Sequence, residues 1–313
     1  MRTQSWNRRD VLKAVSAAAL AAAAPRSAAA QSVKWSMGTE APKLKAPANA
    51  TDCHHHVYNA KYPVDPKATL RPGDALVEDY RALQKRIGTT RNVLVQPSTY
   101  GTDNRCHLEA LAAFGATARM VAVVDDTVST EELKRLHGLG VRGIRFNLMG
   151  HLPGARDPQK LRVLAERVMP FGWHVLVHGE LPVLLPFLQA WRDLKTPLVI
   201  DHMARPDLTG PVDPTLIREL HAELSHTNRW IKLSGIDRAM QGLPGPWPQA
   251  MDQVRTLLEC APQRAIWGSD WPHPNIKGPI PDDAQLLDFI VQVCDSAALQ
   301  QAVLFDNPAR LYT

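Results

Sequence analysis

The sequence lacks the patterns that mark several common classes of protein. Its four cysteines, Cys53, Cys106, Cys260 and Cys294, are widely and irregularly spaced, and no CxxC pair occurs. This spacing argues against a disulfide framework and predicts isolated, buried thiols. No glycine-rich turn follows the first predicted strand, which argues against a dinucleotide-binding, doubly wound sheet. Outside the N-terminal 30 residues there is no internal repeat or low-complexity tract.

The N-terminal segment resembles an export signal. Residues 7–13 carry a twin-arginine pattern, an Ala-rich run follows at 14–24, and the alanines at 28–30 offer a small-residue cleavage site. The alternative is a membrane anchor, but the run is shorter than the ~20 apolar residues that a membrane span needs. The sequence therefore predicts a twin-arginine signal peptide at 1–30 and a periplasmic location without a membrane anchor once the signal is removed.

Without residues 1–30, the chain has little excess positive charge. Five basic residues and one acidic residue at 1–30 account for +4 of the formal net charge of +5. The remaining chain is close to neutral, so we predict no nucleic-acid partner.

Helix-like and strand-like patterns alternate along the remaining chain. Short apolar runs predict strands at 52–56, 91–96, 120–124, 141–146, 173–178, 198–202, 230–233 and 265–267. Helical spacing predicts helices at 77–87, 107–114, 130–139, 159–168, 183–191, 214–224, 249–261 and 283–294. Eight such units in about 260 residues predict a (β/α)8 TIM barrel. The alternative is an open, doubly wound sheet. We expect an irregular arm at 31–50 and the barrel at 51–313.

Polar residues fall at the predicted carboxyl ends of these strands, where a barrel of this kind places its active site. Their alternation puts His54 and His56 on one face together with Asp52, and Cys53 and His55 on the other. With His178 and Asp270 they form a set that suits a zinc ion with an open position. His202 is either a further ligand or a group beside the reacting carbonyl. The alternatives are a histidine-rich loop without metal and satisfied core histidines.

Three arginines lie at or just beyond strand ends. Arg145, Arg205 and Arg238 each offer a fork that matches a carboxylate or another oxyanion. Together they predict a small anionic substrate, whereas singly each is also typical of a surface salt bridge. Asn147 and His273 are further candidates for substrate contacts.

Four segments resemble the amidohydrolase superfamily. They are DCHHHV at 52–57, GIRFN at 143–147, VIDHMARPD at 199–207 and WGSDWPH at 267–273. The similarity is to the branch of pyrone-dicarboxylate lactonases, to which DNPARLY at 306–312 adds a C-terminal signature.

The resemblance implies a (β/α)8 barrel that hydrolyses a cyclic ester bearing carboxylates. It implies that His54, His56 and His202 surround the lactone carbonyl and that Asp270 activates the water. It also implies that the three arginines hold the carboxylates.

The sequence departs from that branch at two positions. The pyrone-dicarboxylate lactonases work without metal and carry a tyrosine where this chain has His178, which restores the ligands of metal-dependent members. His151 replaces a substrate-binding arginine of that branch. The pattern is similar to zinc-associated sulfomuconolactone hydrolases.

Three hypotheses follow from the sequence. The first is a metal-dependent hydrolase that opens an anionic lactone of the muconolactone, pyrone or sugar-acid type by attack of activated water. The second is a non-oxidative, metal-dependent decarboxylase of the same superfamily. The third is a non-catalytic periplasmic metal-binding protein.

Overall fold

The computed structural model describes residues 32–152, 154, 157–276 and 278–313. The predicted signal peptide at 1–30 lies outside these residues, so it stays a prediction. Within the described ranges, no helix has both the length and the apolar character needed to cross a bilayer.

Eight parallel strands follow one another in chain order within one sheet. They are β1 Thr51–His55, β2 Arg91–Val95, β3 Ala118–Ala122, β4 Val141–Asn147, β5 His174–His178, β6 Leu198–Ile200, β7 Arg229–Lys232 and β8 Ala265–Ile266. The backbone of Cys53 donates to the Trp267 carbonyl at 2.9 Å, and that of Asp270 donates to the His54 carbonyl at 2.8 Å. These bonds join the last strand to the first, and the predicted barrel is confirmed.

Helices connect successive strands, and several begin at a residue whose side chain caps the first turn. Ser129 accepts a hydrogen bond from the backbone of Glu132, and Asp213 accepts one from Thr215. The helices that follow β1 to β6 are α1 Val77–Ile87, α2 Arg105–Phe114, α3 Thr130–Leu139, α4 Pro158–Val168, α5 Leu181–Ala190 and α6 Pro214–Leu224. The later ones are α7 Ile236–Ala239, α8 Met251–Cys260, α9 Asp283–Val293, α10 Ala297–Gln301 and α11 Asn307–Leu311.

A separate apolar cluster fills the barrel interior. Side chains from seven of the eight strands pack there against Leu311 and Tyr312 near the C-terminus. The cluster consists of Cys53, Val93, Val95, Val121, Leu176, Val199, Trp230, Ile266, Leu311 and Tyr312. Because this layer is packed rather than open, polar chemistry has room only at the strand ends.

The four cysteines, all within the described residues, are free, as predicted. Three of them are buried, and Cys260 is partly exposed.

Residues 32–50 form an arm with no helix or extended strand, held to the barrel by backbone hydrogen bonds. The Asp288 carboxylate accepts from the backbone of Lys43 at 3.0 Å and of Leu44 at 2.7 Å. The indole of Trp271 donates to the Lys34 carbonyl at 2.9 Å. The arm thereby packs against α9 and the segment that follows β8.

Gly268 permits the close approach of β8 to β1. A Cβ atom added there would lie 2.5 Å from the backbone nitrogen of His54. Since backbone atoms cannot move aside cheaply, Gly268→Ala is expected to lower the free energy of unfolding by about 1–3 kcal/mol.

Urea denaturation monitored by circular dichroism measures the change. Gly138→Ala is the matched control, because an added Cβ in α3 meets nothing within 4 Å. A helical alanine there should stabilise the protein by about 0.5–1 kcal/mol. Equal stability of Gly268→Ala and wild type would contradict the tight closure.

Candidate active site

A cavity of about 400 Å³ opens at the carboxyl ends of the strands. Eight of the residues predicted from the sequence line it, together with others: His56, Arg145, His151, His178, His202, Arg205, Arg238 and Asp270. His54 lies fully buried beside this wall, within contact distance of Asp270. Residues separated by more than two hundred positions in the sequence therefore meet at one rim.

The first strand departs from the regular alternation that its sequence predicts. Its pairing register with β2 shifts between Asp52 and His55. His55 faces outward, as predicted, and stacks on Tyr80 at 3.5 Å between ring centroids. Asp52 does not join His54 and His56: its carboxylate accepts from Tyr80 at 2.9 Å and from the Ser269 hydroxyl at 2.6 Å. Cys53 faces the barrel interior instead of the outer side. The bulge interrupts the regular alternation, so Asp52 and Cys53 lie on other faces than the sequence predicts.

Two imidazoles converge on one carboxylate oxygen. Oδ1 of Asp270 lies 3.5 Å from Nε2 of His54 and 3.3 Å from Nε2 of His56. The possible ligand atoms of these three buried residues all lie within 4.8 Å of one another. His54, Asp201 and His202 form a second group of the same size. His178 belongs to neither group, although its ring lies 5.4 Å from that of His202.

The hydrogen bonds of His56 show why this arrangement fits a cation. Its Nδ1 donates to the Val95 carbonyl at 2.6 Å, so the neutral ring carries its lone pair on Nε2. That lone pair faces the Asp270 oxygen, which is also an acceptor. Nε2 of His54 is buried and has no hydrogen-bond partner among the described residues. Two acceptors that face each other, beside an unpartnered buried imidazole nitrogen, favour a bound divalent metal, and the residues present fit one.

Asp270 is held as a carboxylate. Nε of Arg238 donates to its Oδ2 at 2.7 Å, and the other arm of the guanidinium donates to the Pro274 carbonyl. Burial alone would raise the pKa of Asp270, but Arg238 and then His202 lower it well below its usual value. The group is therefore ionised at neutral pH, with Oδ1 left to face the histidines.

Arg145 and His178 form a second unit on the neighbouring strands β4 and β5. Nη2 of Arg145 donates to Nδ1 of His178 at 3.1 Å and lies 3.3 Å from Oδ2 of Asp201. Because arginine is always a donor, Nδ1 of His178 accepts and the proton of the neutral ring sits on Nε2. Burial, followed by Arg145, lowers the pKa of His178 well below its usual value. In this arrangement His178 offers the cavity an N–H rather than a lone pair.

A left-handed turn after β6 places two of the predicted residues. The backbone φ values of His202, Met203, Ala204 and Arg205 are 46°, 56°, 62° and 52°. Non-glycine residues adopt this region only at an energetic cost, and such strain clusters at functional sites. The turn directs Nδ1 of His202 to the Ser234 hydroxyl at 2.9 Å. Burial lowers the pKa of His202 to about 4, so its ring is neutral at pH 7.

Three predicted substrate contacts occupy different places. Arg205 lines the cavity, and its guanidinium has no hydrogen-bond or ion-pair partner among the described residues. Asn147 lines an adjoining cavity of about 480 Å³, and its Oδ1 accepts from the backbone of Met149. His273 does not line the main cavity; its Nε2 lies 3.2 Å from the buried carboxylate of Asp283, which assigns it a structural partner.

Sequence reasoning missed the residues beneath His54. Asp201 and Lys232 are polar residues at strand ends in the sequence, but nothing in the pattern assigned them a role. Both side chains are fully buried and contact Nδ1 of His54. The available signal was Lys232 itself, since a lysine inside an apolar strand needs a buried partner.

Comparisons with known proteins agree with this geometry. A 2-pyrone-4,6-dicarboxylate hydrolase of Comamonas testosteroni is 39% identical over 293 residues, covering 89% of this chain and 94% of that protein. A 4-sulfomuconolactone hydrolase of Rhizobium radiobacter is 33% identical over 277 residues, covering 85% of this chain and 90% of that protein.

A solved structure extends the likeness to three dimensions. It is a probable 2-pyrone-4,6-dicarboxylic acid hydrolase of Acinetobacter baumannii with citric acid bound. The two share 26% identity at a TM-score of 0.74, over 84% of this chain and 99% of the other. Residues 51–313, which span the barrel and its polar rim, match the amidohydrolase family model, and the chain therefore belongs to the amidohydrolase family.

Proposed function

We propose that the protein is a metal-dependent hydrolase that opens an anionic lactone with activated water. The observation that carries the proposal is the position of Asp270. Its carboxylate faces two histidines on one side and is paired with Arg238 on the other, at the wall of a cavity that arginines also line. Lactone hydrolases among the relatives support the same chemistry.

His54, His56 and Asp270 are the residues that would hold the metal, and we propose zinc. Three protein ligands with one open position are typical of catalytic zinc sites. A zinc ion there would supply Lewis-acid chemistry, polarising a carbonyl oxygen and making a nearby water more acidic. The Val95 carbonyl accepts a hydrogen bond from Nδ1 of His56 and so already orients this ring.

The chain's own groups complete the reaction. Asp270, ionised at neutral pH, accepts the proton of the attacking water and returns it to the ring oxygen as the ester C–O bond of the lactone breaks. His202, neutral and oriented by Ser234, lies 3.9 Å from Asp270 through Nε2 and lines the cavity beside it. The N–H of His178 can donate to an oxygen of the substrate, because its other nitrogen is engaged by Arg145.

The charges around the cavity favour an anion. Arg145, Arg205 and Arg238 line the cavity, and Glu180 and Asp270 are the carboxylates that line it, so the lining carries one more positive than negative charge. Arg205 is the arginine of this lining that forms no ion pair with a described carboxylate, so we assign it to the carboxylate of the substrate. His151, exposed at the rim, leaves this side of the cavity less positive than an arginine would.

Replacement of the carboxylate tests the function. Asp270→Asn keeps the size of the side chain but removes the proton acceptor, so hydrolysis of anionic lactones should fall by about 10²- to 10⁴-fold. The assay is a panel of pyrone dicarboxylate, muconolactone and sugar-acid lactones followed by ring opening. Asp207→Asn, an exposed aspartate on the segment after β6, is the control and should retain full activity.

Three outcomes would overturn the proposal. Full activity of Asp270→Asn would exclude the mechanism. Release of CO₂ from a carboxylic acid without lactone turnover would establish the decarboxylase instead. Metal binding without turnover on either panel would establish a non-catalytic role.

Arg205 provides a test of substrate charge. Arg205→Met should raise KM for a carboxylated lactone by roughly 10- to 100-fold, since a hydrogen bond to a charged group contributes about 1.5–3 kcal/mol. KM for an uncharged lactone of the same ring should change little. Arg218→Met, an exposed arginine on α6, serves as the control. An equal rise in KM for both lactones would show that Arg205 does not recognise charge.

We also propose that residues 1–30 direct export through the twin-arginine pathway. In a bacterial host the chain should accumulate in the periplasm without its first 30 residues. Arg8→Lys together with Arg9→Lys should leave the full-length chain in the cytoplasm, whereas Arg2→Lys, outside the motif, should not. Fractionation and N-terminal sequencing measure both. An intact N-terminus on cytoplasmic wild-type protein would exclude export.

A further inference from the structure

A buried ion pair lies directly beneath the first predicted metal ligand. Nζ of Lys232 is 3.0 Å from Nδ1 of His54 and 3.4 Å from Oδ1 of Asp201. The same Asp201 oxygen is 3.2 Å from Nδ1 of His54. The three side chains have no solvent exposure, so each must satisfy its polar atoms within this triangle and its immediate neighbours.

Nδ1 of His54 can form a hydrogen bond with only one of its two neighbours, Asp201 or Lys232, at a time. If Nδ1 carries a proton, it donates to Asp201; if it does not, it accepts from Lys232. The two states of the neutral ring place the proton on opposite nitrogens. Asp201 therefore favours a lone pair on Nε2, and Lys232 favours an N–H there.

The state of Nε2 decides whether His54 can bind metal. Nε2 is the atom that faces Asp270 and His56, and a metal ligand must present a lone pair. Lys232 opposes binding twice, because it favours the wrong tautomer and because its positive charge repels a divalent cation across the ring. Asp201 supports binding twice, through the tautomer and through its negative charge.

We propose that Asp201 and Lys232 are opposed positioning residues that set how tightly the site holds a divalent metal, acting through the tautomer of His54. This inference rests on the metal site of the proposed function. Neither residue lines the substrate cavity, so neither is placed to contact the substrate directly. Arg145, which pairs with the second oxygen of Asp201, keeps that carboxylate neutralised when Lys232 is replaced.

Zinc affinity of the purified full-length chain, measured by competition with a chromophoric chelator, provides the test. Lys232→Met should bind zinc at least tenfold more tightly than wild type. Asp201→Asn should bind at least tenfold more weakly, because Lys232 then holds Nδ1 as an acceptor. The double variant should fall between the two.

Arg229→Met is the matched control. Arg229 is a second fully buried cation on β7, it also faces a buried carboxylate, Glu223, and it lies three residues from Lys232 along the strand. Its loss perturbs the fold in a similar way but should leave zinc affinity within twofold of wild type. Thermal unfolding followed by circular dichroism verifies that each variant is folded.

The opposite changes in zinc affinity expected for Lys232→Met and Asp201→Asn distinguish a positioning role from damage to the fold. If both residues were merely structural, both single variants would bind zinc more weakly, and that result would overturn the proposal. An unchanged affinity of Lys232→Met, or the absence of zinc binding in every variant, would also overturn it. Histidine ¹⁵N NMR of the metal-free protein gives an independent readout: Asp201→Asn should shift the His54 tautomers toward Nε2–H, and Lys232→Met should shift them toward Nδ1–H. If no lactone is hydrolysed, the proposed function fails while these affinities still decide the inference.

Discussion

Neutralisation of buried carboxylates is the constraint on which the rest of the site depends. Asp201 follows β6 and Asp270 follows β8, both with almost no exposure, where an unpaired charge is destabilised by several kcal/mol. Asp270 is balanced by Arg238 at 2.7 Å, and Asp201 by Lys232 and Arg145 at 3.4 and 3.3 Å. The cations come from other elements than the carboxylates: Arg145 from β4, Lys232 from β7 and Arg238 from α7. These residues therefore form one coupled unit. Loss of any one of them leaves a buried charge without its counter-ion.

The backbone is strained where this unit is assembled. Four consecutive non-glycine residues after β6 adopt left-handed conformations, and Asp270 itself has a φ of 64°. A left-handed residue other than glycine costs on the order of 1 kcal/mol, so such a run persists only where packing and hydrogen bonds over-determine it. The barrel supplies that support, since β1 and β8 are joined by backbone bonds on both sides of His54. Rigid closure of the barrel thus stabilises the geometry of the site as well as the fold.

Periodicity was sufficient to predict the barrel but not the local detail of its rim. The helices at 77–87, 130–139 and 214–224 match the structure because their apolar spacing and caps agree. The strand predicted at 198–202 ends at Ile200, because a left-handed turn begins at His202. The sequence does not indicate this turn, since no glycine occurs in it. Asp52 was placed on the wrong face since a bulge in β1 interrupts the period of two. Candidate residues could be named because barrel topology alone brings strand ends together. Their hydrogen-bond partners could not, because Lys232 reaches His54 across 178 residues of sequence.

Two kinds of ligand group lie side by side at this site. The lone pair of His56 faces Oδ1 of Asp270 at 3.3 Å, and two acceptors at this distance repel each other unless a positive charge lies between them. The arginines line the cavity, where their charge favours an anion. Asp270 lies at the boundary, with one oxygen toward the histidines and the other on Arg238. In the proposed mechanism, a cation held by the histidines and Asp270 and an anion held by the arginines would each stabilise the other, with Asp270 between them as the base toward water.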